Sequence, residues 1–139
     1  MKKYRIQLLA LVVVTVVGCS SPDKKSSDET VQGTARLSPE MFKENLSTVS
    51  DPVLIDVRTP GEVEEGIIQG AVNMDIKDST FTDKLKELDK SKSYFLYCKA
   101  GKRSDDAAKQ MEEMGFKHIS VLDGGIVEWK EKGLETVTP

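Results

Sequence analysis

The sequence predicts an α/β domain with a mostly parallel central sheet of about five strands and helices on both faces. Three observations support this. Strand-like apolar runs alternate with helix-like patterns over about 100 residues, the order that builds a parallel sheet through right-handed crossovers. One run, Val53-Leu54-Ile55-Asp56-Val57, is nearly continuous and rich in β-branched residues, as suits a strand covered on both faces. Proline and glycine punctuate the chain where helices should start and stop.

Ser38-Pro39 opens the first helix, with Ser as N-cap and Pro at the first helical position, and Met41, Phe42 and Leu46 give it an apolar side. The Val53–Val57 strand follows. Thr59-Pro60-Gly61-Glu62 has capping-box spacing and predicts a short helix that runs to about Glu65 and stops at Gly66. Ala71–Met74 is a short strand. Phe81, Leu85 and Leu88 recur at helical spacing. Tyr94–Tyr97 is the next strand. Arg103–Met114 is a helix with Ala107, Ala108, Met111 and Met114 on one side and Gly115 as its stop. Ile119–Leu122 is the last strand, and Glu128–Lys132 is a closing helical turn ended by Gly133.

The beginning of the chain reads differently. Lys2, Lys3 and Arg5 precede an apolar run from Ile6 to Val17. That run is too short to span a bilayer, which takes about 20 apolar residues, and has the length of a signal-peptide core. Val16-Val17-Gly18-Cys19 resembles a bacterial lipobox, which implies lipid on Cys19 and cleavage before it. Ordinary secretion or an uncleaved signal anchor is the alternative. The expected organisation is a signal peptide over 1–18, a polar lipidated tether over 19–33 and a folded domain over 34–139. The domain is then expected at the bacterial cell envelope, held to the membrane by lipid, in the periplasm or at the cell exterior.

The formal net charge is −3, and loss of residues 1–18 would remove three basic residues and no acidic one. An acidic chain without a basic stripe is a poor nucleic-acid binder, so that class is set aside. With Cys19 committed to lipid, Cys98 has no partner for an internal disulfide. An unpaired thiol outside the cytoplasm calls for a reason.

Ligands of a parallel sheet bind beyond the carboxyl ends of its strands. Cys98 stands there, directly after the Tyr94–Tyr97 strand, in Cys98-Lys99-Ala100-Gly101-Lys102-Arg103-Ser104. A tight strand-to-helix loop turns successive N–H groups inward as an anion nest, and the helix start adds partial positive charge. Lys99, Lys102 and Arg103 add full charges. These surroundings favour a thiolate, which is a strong nucleophile. A buried structural cysteine and ordinary solvated lysines are the plainer alternatives.

Cys-x-x-Gly-x-Arg-Ser after an apolar strand resembles the active-site loop of the rhodanese family. Asp56-Val57-Arg58-Thr59-Pro60-Gly61-Glu62, continuing to Glu65-Gly66-Ile67-Ile68-Gln69-Gly70-Ala71, resembles that family's Asp-Val-Arg block. Leu122-Asp123-Gly124-Gly125-Ile126, with Trp129 and Gly133-Leu134, resembles its C-terminal block. The likeness runs from about Leu37 to Leu134. It implies a rhodanese-like fold and a sulfurtransferase whose catalytic Cys98 carries sulfur as a persulfide. The loop Lys99, Ala100, Gly101, Lys102, Arg103 and Ser104 would bind the charged sulfur, with Arg103 and the lysines attracting the donor. Asp56 and Arg58 would support it, Arg58 pairing with Glu62 or Glu65. The implied partners are a small anionic donor such as thiosulfate and a thiol or cyanide-like acceptor. No metal or organic cofactor is implied, and a monomer is expected. One departure is Ile67-Ile68-Gln69 where the family usually has His-Ile-Pro, which puts the local packing in question.

Two other classes compete. A non-catalytic sulfur carrier or docking module would use the same fold. A cysteine phosphatase of the related Cys-x5-Arg type needs one more loop residue than the four between Cys98 and Arg103. His118 belongs at the start of its strand, remote from Cys98, which argues against a protease dyad. No Cys-x-x-Cys motif is present for dithiol chemistry.

Overall fold

A computed structural model describes residues 33–139. The expected signal peptide and, apart from Gly33, the Cys19 tether lie outside the described residues. The elements run β1 (Gly33–Leu37), α1 (Pro39–Thr48), β2 (Val53–Asp56), α2 (Pro60–Val63), β3 (Val72–Asn73), α3 (Phe81–Lys86), β4 (Ser93–Tyr97), α4 (Lys102–Glu113), β5 (His118–Leu122) and α5 (Gly125–Glu131). The strands form one all-parallel sheet in the order β1-β5-β4-β2-β3.

The strand period of two explains why the middle strands are apolar throughout. Leu54, Phe95 and Tyr97 pack with Phe42, Ile126 and Trp129 under α1 and α5. Ile55, Tyr94 and Leu96 pack with Leu85, Ala107, Ala108 and Met111 under α3 and α4. Helices therefore cover both faces, as the sequence predicts. The Ser38 hydroxyl accepts the Met41 N–H at 3.4 Å and caps α1. Met41 itself is 53% exposed, which corrects its assignment to the apolar side. Phe42 next to it takes the buried direction, because successive helix residues point about 100° apart.

Three features depart from the expected elements. β1 is a strand no periodicity announced, since only Leu37 of its five residues is buried. It forms because it pairs with β5 along its whole length. α5 begins at Gly125, three residues before the expected turn. The chain end returns to the domain, where Ile67 and Val137 exchange N–H···O bonds, both at 2.8 Å.

Register fixes the two ends of the sheet. Gly33 and Ser93 both align with His118 at the amino end, and Leu37 aligns with Leu122 at the other. Cys98 follows Tyr97 off that second end, so a Cys98–His118 dyad is ruled out. Among the described residues, no helix is long and apolar enough to cross a membrane.

Candidate active site

Cys98 leaves the carboxyl end of β4, flanked in the sheet by β5 and β2. It is 1% exposed. Its Sγ accepts the Gly101 N–H at 3.1 Å. The Ser104 hydroxyl lies 3.6 Å from Sγ and 2.8 Å from the Gly101 carbonyl oxygen, and its single proton serves one of them at a time. Gly101 has φ +101°, a conformation that a side chain would strain.

α5 sets the orientation of this loop from behind. The N–H groups of Ile126 and Val127 donate to the carbonyl oxygens of Cys98, at 2.9 Å, and Lys99, at 3.1 Å. In a trans peptide the carbonyl and the following N–H point in opposite directions, and no described peptide bond is cis. The Lys99 and Ala100 N–H groups are therefore turned away from α5. Among the described residues neither has a protein acceptor, nor do the N–H groups of Lys102, Arg103 and Ser104 in the first turn of α4. The outcome is a buried sulfur with a run of open donors beside it.

This close approach depends on Gly125. A Cβ there would stand 2.5 Å from the Lys99 oxygen and 2.6 Å from the Cys98 oxygen.

Arg103 does not present a free charge. Its Nη1 and Nη2 each donate to the Glu62 carboxylate at 2.7 Å, a bidentate pair linking α4 to α2. The guanidinium holds the Glu62 carboxyl down to about 2, helped by the hydroxyl and N–H of Thr59. Arg103, expected with the loop lysines to attract an anionic donor, is thus paired with Glu62 at the loop. Lys99 and Lys102 are exposed. Lys102 is 90% exposed, with its ammonium 3.9 Å from Asp106, so it flanks the loop as a solvated charge.

Arg58 pairs with neither the Glu62 nor the Glu65 carboxylate. Its Nε donates to both Asp56 oxygens, at 2.9 and 3.0 Å, and its Nη2 donates to Asp56 Oδ2 at 2.6 Å. Residues two apart in extended chain point to the same side, which brings this pair together. Both are buried, at 0% and 2% exposure, so the nearest partner is decisive. The remaining donors reach the carbonyl oxygens of Glu62, at 3.0 Å, and Gly66, at 2.8 Å. The Asn73 side chain donates to the carbonyl oxygens of Asp56 and Arg58, at 2.9 and 2.8 Å. Tyr97 lies under the Arg58 guanidinium, and its hydroxyl accepts the Ile68 N–H at 3.1 Å. Burial raises the Tyr97 phenol well above its ordinary range.

A family model described as rhodanese-like domain matches residues 38–132. The chain belongs to the rhodanese family. This rhodanese domain is 37% identical over 94 residues to a putative sulfurtransferase of Bacillus subtilis, covering 68% of this chain and 88% of that one. It is 30% identical over 100 residues to a sulfurtransferase of Allochromatium vinosum, covering 72% and 92%. The solved structure of a rhodanese-related protein from Thermoplasma volcanium superposes with a TM-score of 0.66 at 30% identity, covering 76% of this chain and 99% of that one.

The rhodanese fold gathers Cys98 and the Lys99–Ser104 amides at one strand end and sets Asp56 and Arg58 behind them. The support is indirect. Arg58 fixes the carbonyls around α2, α2 presents Glu62, and Glu62 holds Arg103 at the loop. Sequence reading missed Glu62 as the partner of Arg103, Asn73 as a backbone tie and Gly125 as the contact behind Cys98. For Gly125 a signal existed: two successive glycines one residue beyond a strand end.

Proposed function

We propose that this chain is a sulfurtransferase that carries sulfane sulfur as a persulfide on Cys98. The observation that carries the reading is the Gly101 N–H on Cys98 Sγ at 3.1 Å, in a loop whose other amides have no protein acceptor. Such donors stabilise negative charge on sulfur as an oxyanion hole does on oxygen. Cys98, as thiolate, attacks the outer sulfur of thiosulfate. A bond to Cys98 forms, the sulfur–sulfur bond of thiosulfate breaks, and sulfite leaves with the electron pair. A thiol or cyanide then attacks the outer sulfur of the persulfide, and Cys98 returns as thiolate. The four-residue spacing between Cys98 and Arg103 favours this over phosphate chemistry.

The test is mass spectrometry of the protein after incubation with thiosulfate. Wild type should gain one sulfur, roughly 32 Da, which cyanide removes, and Cys98→Ser should gain nothing. Wild type that takes up no sulfur would reject the reading.

We also propose that the domain works at a bacterial envelope membrane, held by lipid on Cys19. The support is the basic, apolar and Gly18-Cys19 pattern of the chain start. Wild type expressed in a bacterium should partition into detergent and Cys19→Ser into the aqueous phase; equal partition would refute the anchor.

A further inference from the structure

Arg36, on β1, reaches the back of the sulfur loop. Its Nη1 donates to Asp123 Oδ1 at 2.9 Å, and its Nη2 donates to Asp105 Oδ2. The same Nη1 stands 3.6 Å from the point a Cβ on Gly101 would occupy. Both carboxylates belong to elements that shape the loop. Asp105 lies in the first turn of α4, and its N–H donates to the Gly101 carbonyl at 3.1 Å. Asp123 opens the turn that delivers Gly125 to the Cys98 and Lys99 carbonyls, and its own N–H donates to the Leu37 carbonyl at 2.8 Å.

These ion pairs are of little consequence for stability, because Arg36, Asp105 and Asp123 are 48%, 31% and 53% exposed. Their consequence is the local potential. The chain is acidic, at −3, and Glu62 already cancels Arg103. Two bare carboxylates behind Gly101 would add negative potential at the sulfur that an anion has to approach.

We propose that Arg36 is a positioning residue of the sulfur site: its guanidinium takes up Asp105 and Asp123 behind Gly101 and keeps their charge from repelling anionic sulfur donors. The identity of the anion rests on the sulfurtransferase reading; the potential at Cys98 does not.

The experiment compares alkylation of Cys98 in the full chain by iodoacetate, an anion, and by neutral iodoacetamide. The ratio of the two rates reads the potential. Arg36→Gln should lower the iodoacetate-to-iodoacetamide ratio about fivefold, the size expected for one unit charge several ångströms away in a partly aqueous setting. Arg36→Lys keeps the charge, and Arg36→Gln with Asp105→Asn restores the net charge, so both should return to within about twofold of wild type. The KM for thiosulfate should rise with the fall in that ratio while kcat changes less than about twofold. An unchanged ratio in Arg36→Gln overturns the inference. So does an equal slowing of both reagents that Asp105→Asn does not reverse, or a wild-type Cys98 that neither reagent reaches. Absence of a persulfide on wild type would end the sulfurtransferase reading alone. A normal persulfide with an unchanged ratio would end this inference alone.

Discussion

After β2 the backbone and side chains satisfy one another: Arg58 covers Asp56 and the carbonyls of Glu62 and Gly66, and Asn73 covers the carbonyls of Asp56 and Arg58. After β4 the opposite holds, with only the Gly101 N–H engaged, on sulfur, and the neighbouring amides left open. The two ends are adjacent in the sheet. One is closed around its own charges and holds a shape. The other leaves its donors without a protein acceptor among the described residues. The bridge between them is the Glu62–Arg103 pair, which transmits position from the closed end to the open one.

The strongest way to break this contrast is to open the closed end. Asp56→Ala leaves Arg58 buried without its carboxylate and should cost about 3–5 kcal/mol, read as a shift of the urea midpoint. Under folding conditions the variant should still take up sulfur. Loss of sulfur uptake in a folded variant would mean that Asp56 does more than hold shape. Damage to the open end from behind should be smaller in stability and larger in activity. Gly125→Ala should cost about 2–4 kcal/mol, from the left-handed φ of +61° and the clash with the Cys98 and Lys99 carbonyls. Sulfur transfer per folded molecule should fall at the same time, because the carbonyls that aim the loop are displaced. Full transfer in folded Gly125→Ala would show that α5 does not aim the loop.

The bridge should give the smallest effect, about 1–3 kcal/mol for a bidentate pair whose side chains are each 24% exposed. Its sign with pH follows from Glu62, whose carboxyl is held at about 2 by Arg103 when folded and titrates near its ordinary 4.5 when unfolded. The contribution is complete above about pH 4.5 and disappears as pH falls toward 2. Urea midpoints of wild type and Glu62→Gln should therefore differ at pH 7 and converge near pH 2. A constant difference across that range would place the stabilisation elsewhere.

Much of the open end was legible in the sequence, because it is local. Cys98 to Ser104 is one continuous segment, and the strand before it and the helix after it announce themselves by period. The bridge was not, because Glu62 and Arg103 are 41 residues apart and each has a sufficient local explanation. Glu62 reads as a capping residue and Arg103 as an anion binder. Arg58 was misassigned for the opposite reason. Its true partner was two residues away, while a helical carboxylate four residues on looked equally suitable. β1 escaped notice because Gly-Thr-Ala-Arg-Leu has little strand character of its own, and β5 supplies the partner that makes it a strand.

The parallel register of β1 decides at which end of the sheet the described chain enters. Gly33 enters at the edge of the sheet where His118 and Ser93 begin, and Cys98 emerges from the far side, roughly 17 Å away along five residues of strand. A grip applied upstream of Gly33 would therefore act at the end of the sheet opposite to Cys98. Immobilised by its beginning, on a bead or a bilayer, the protein would still have the Cys98 end of its sheet on the side opposite to its entry.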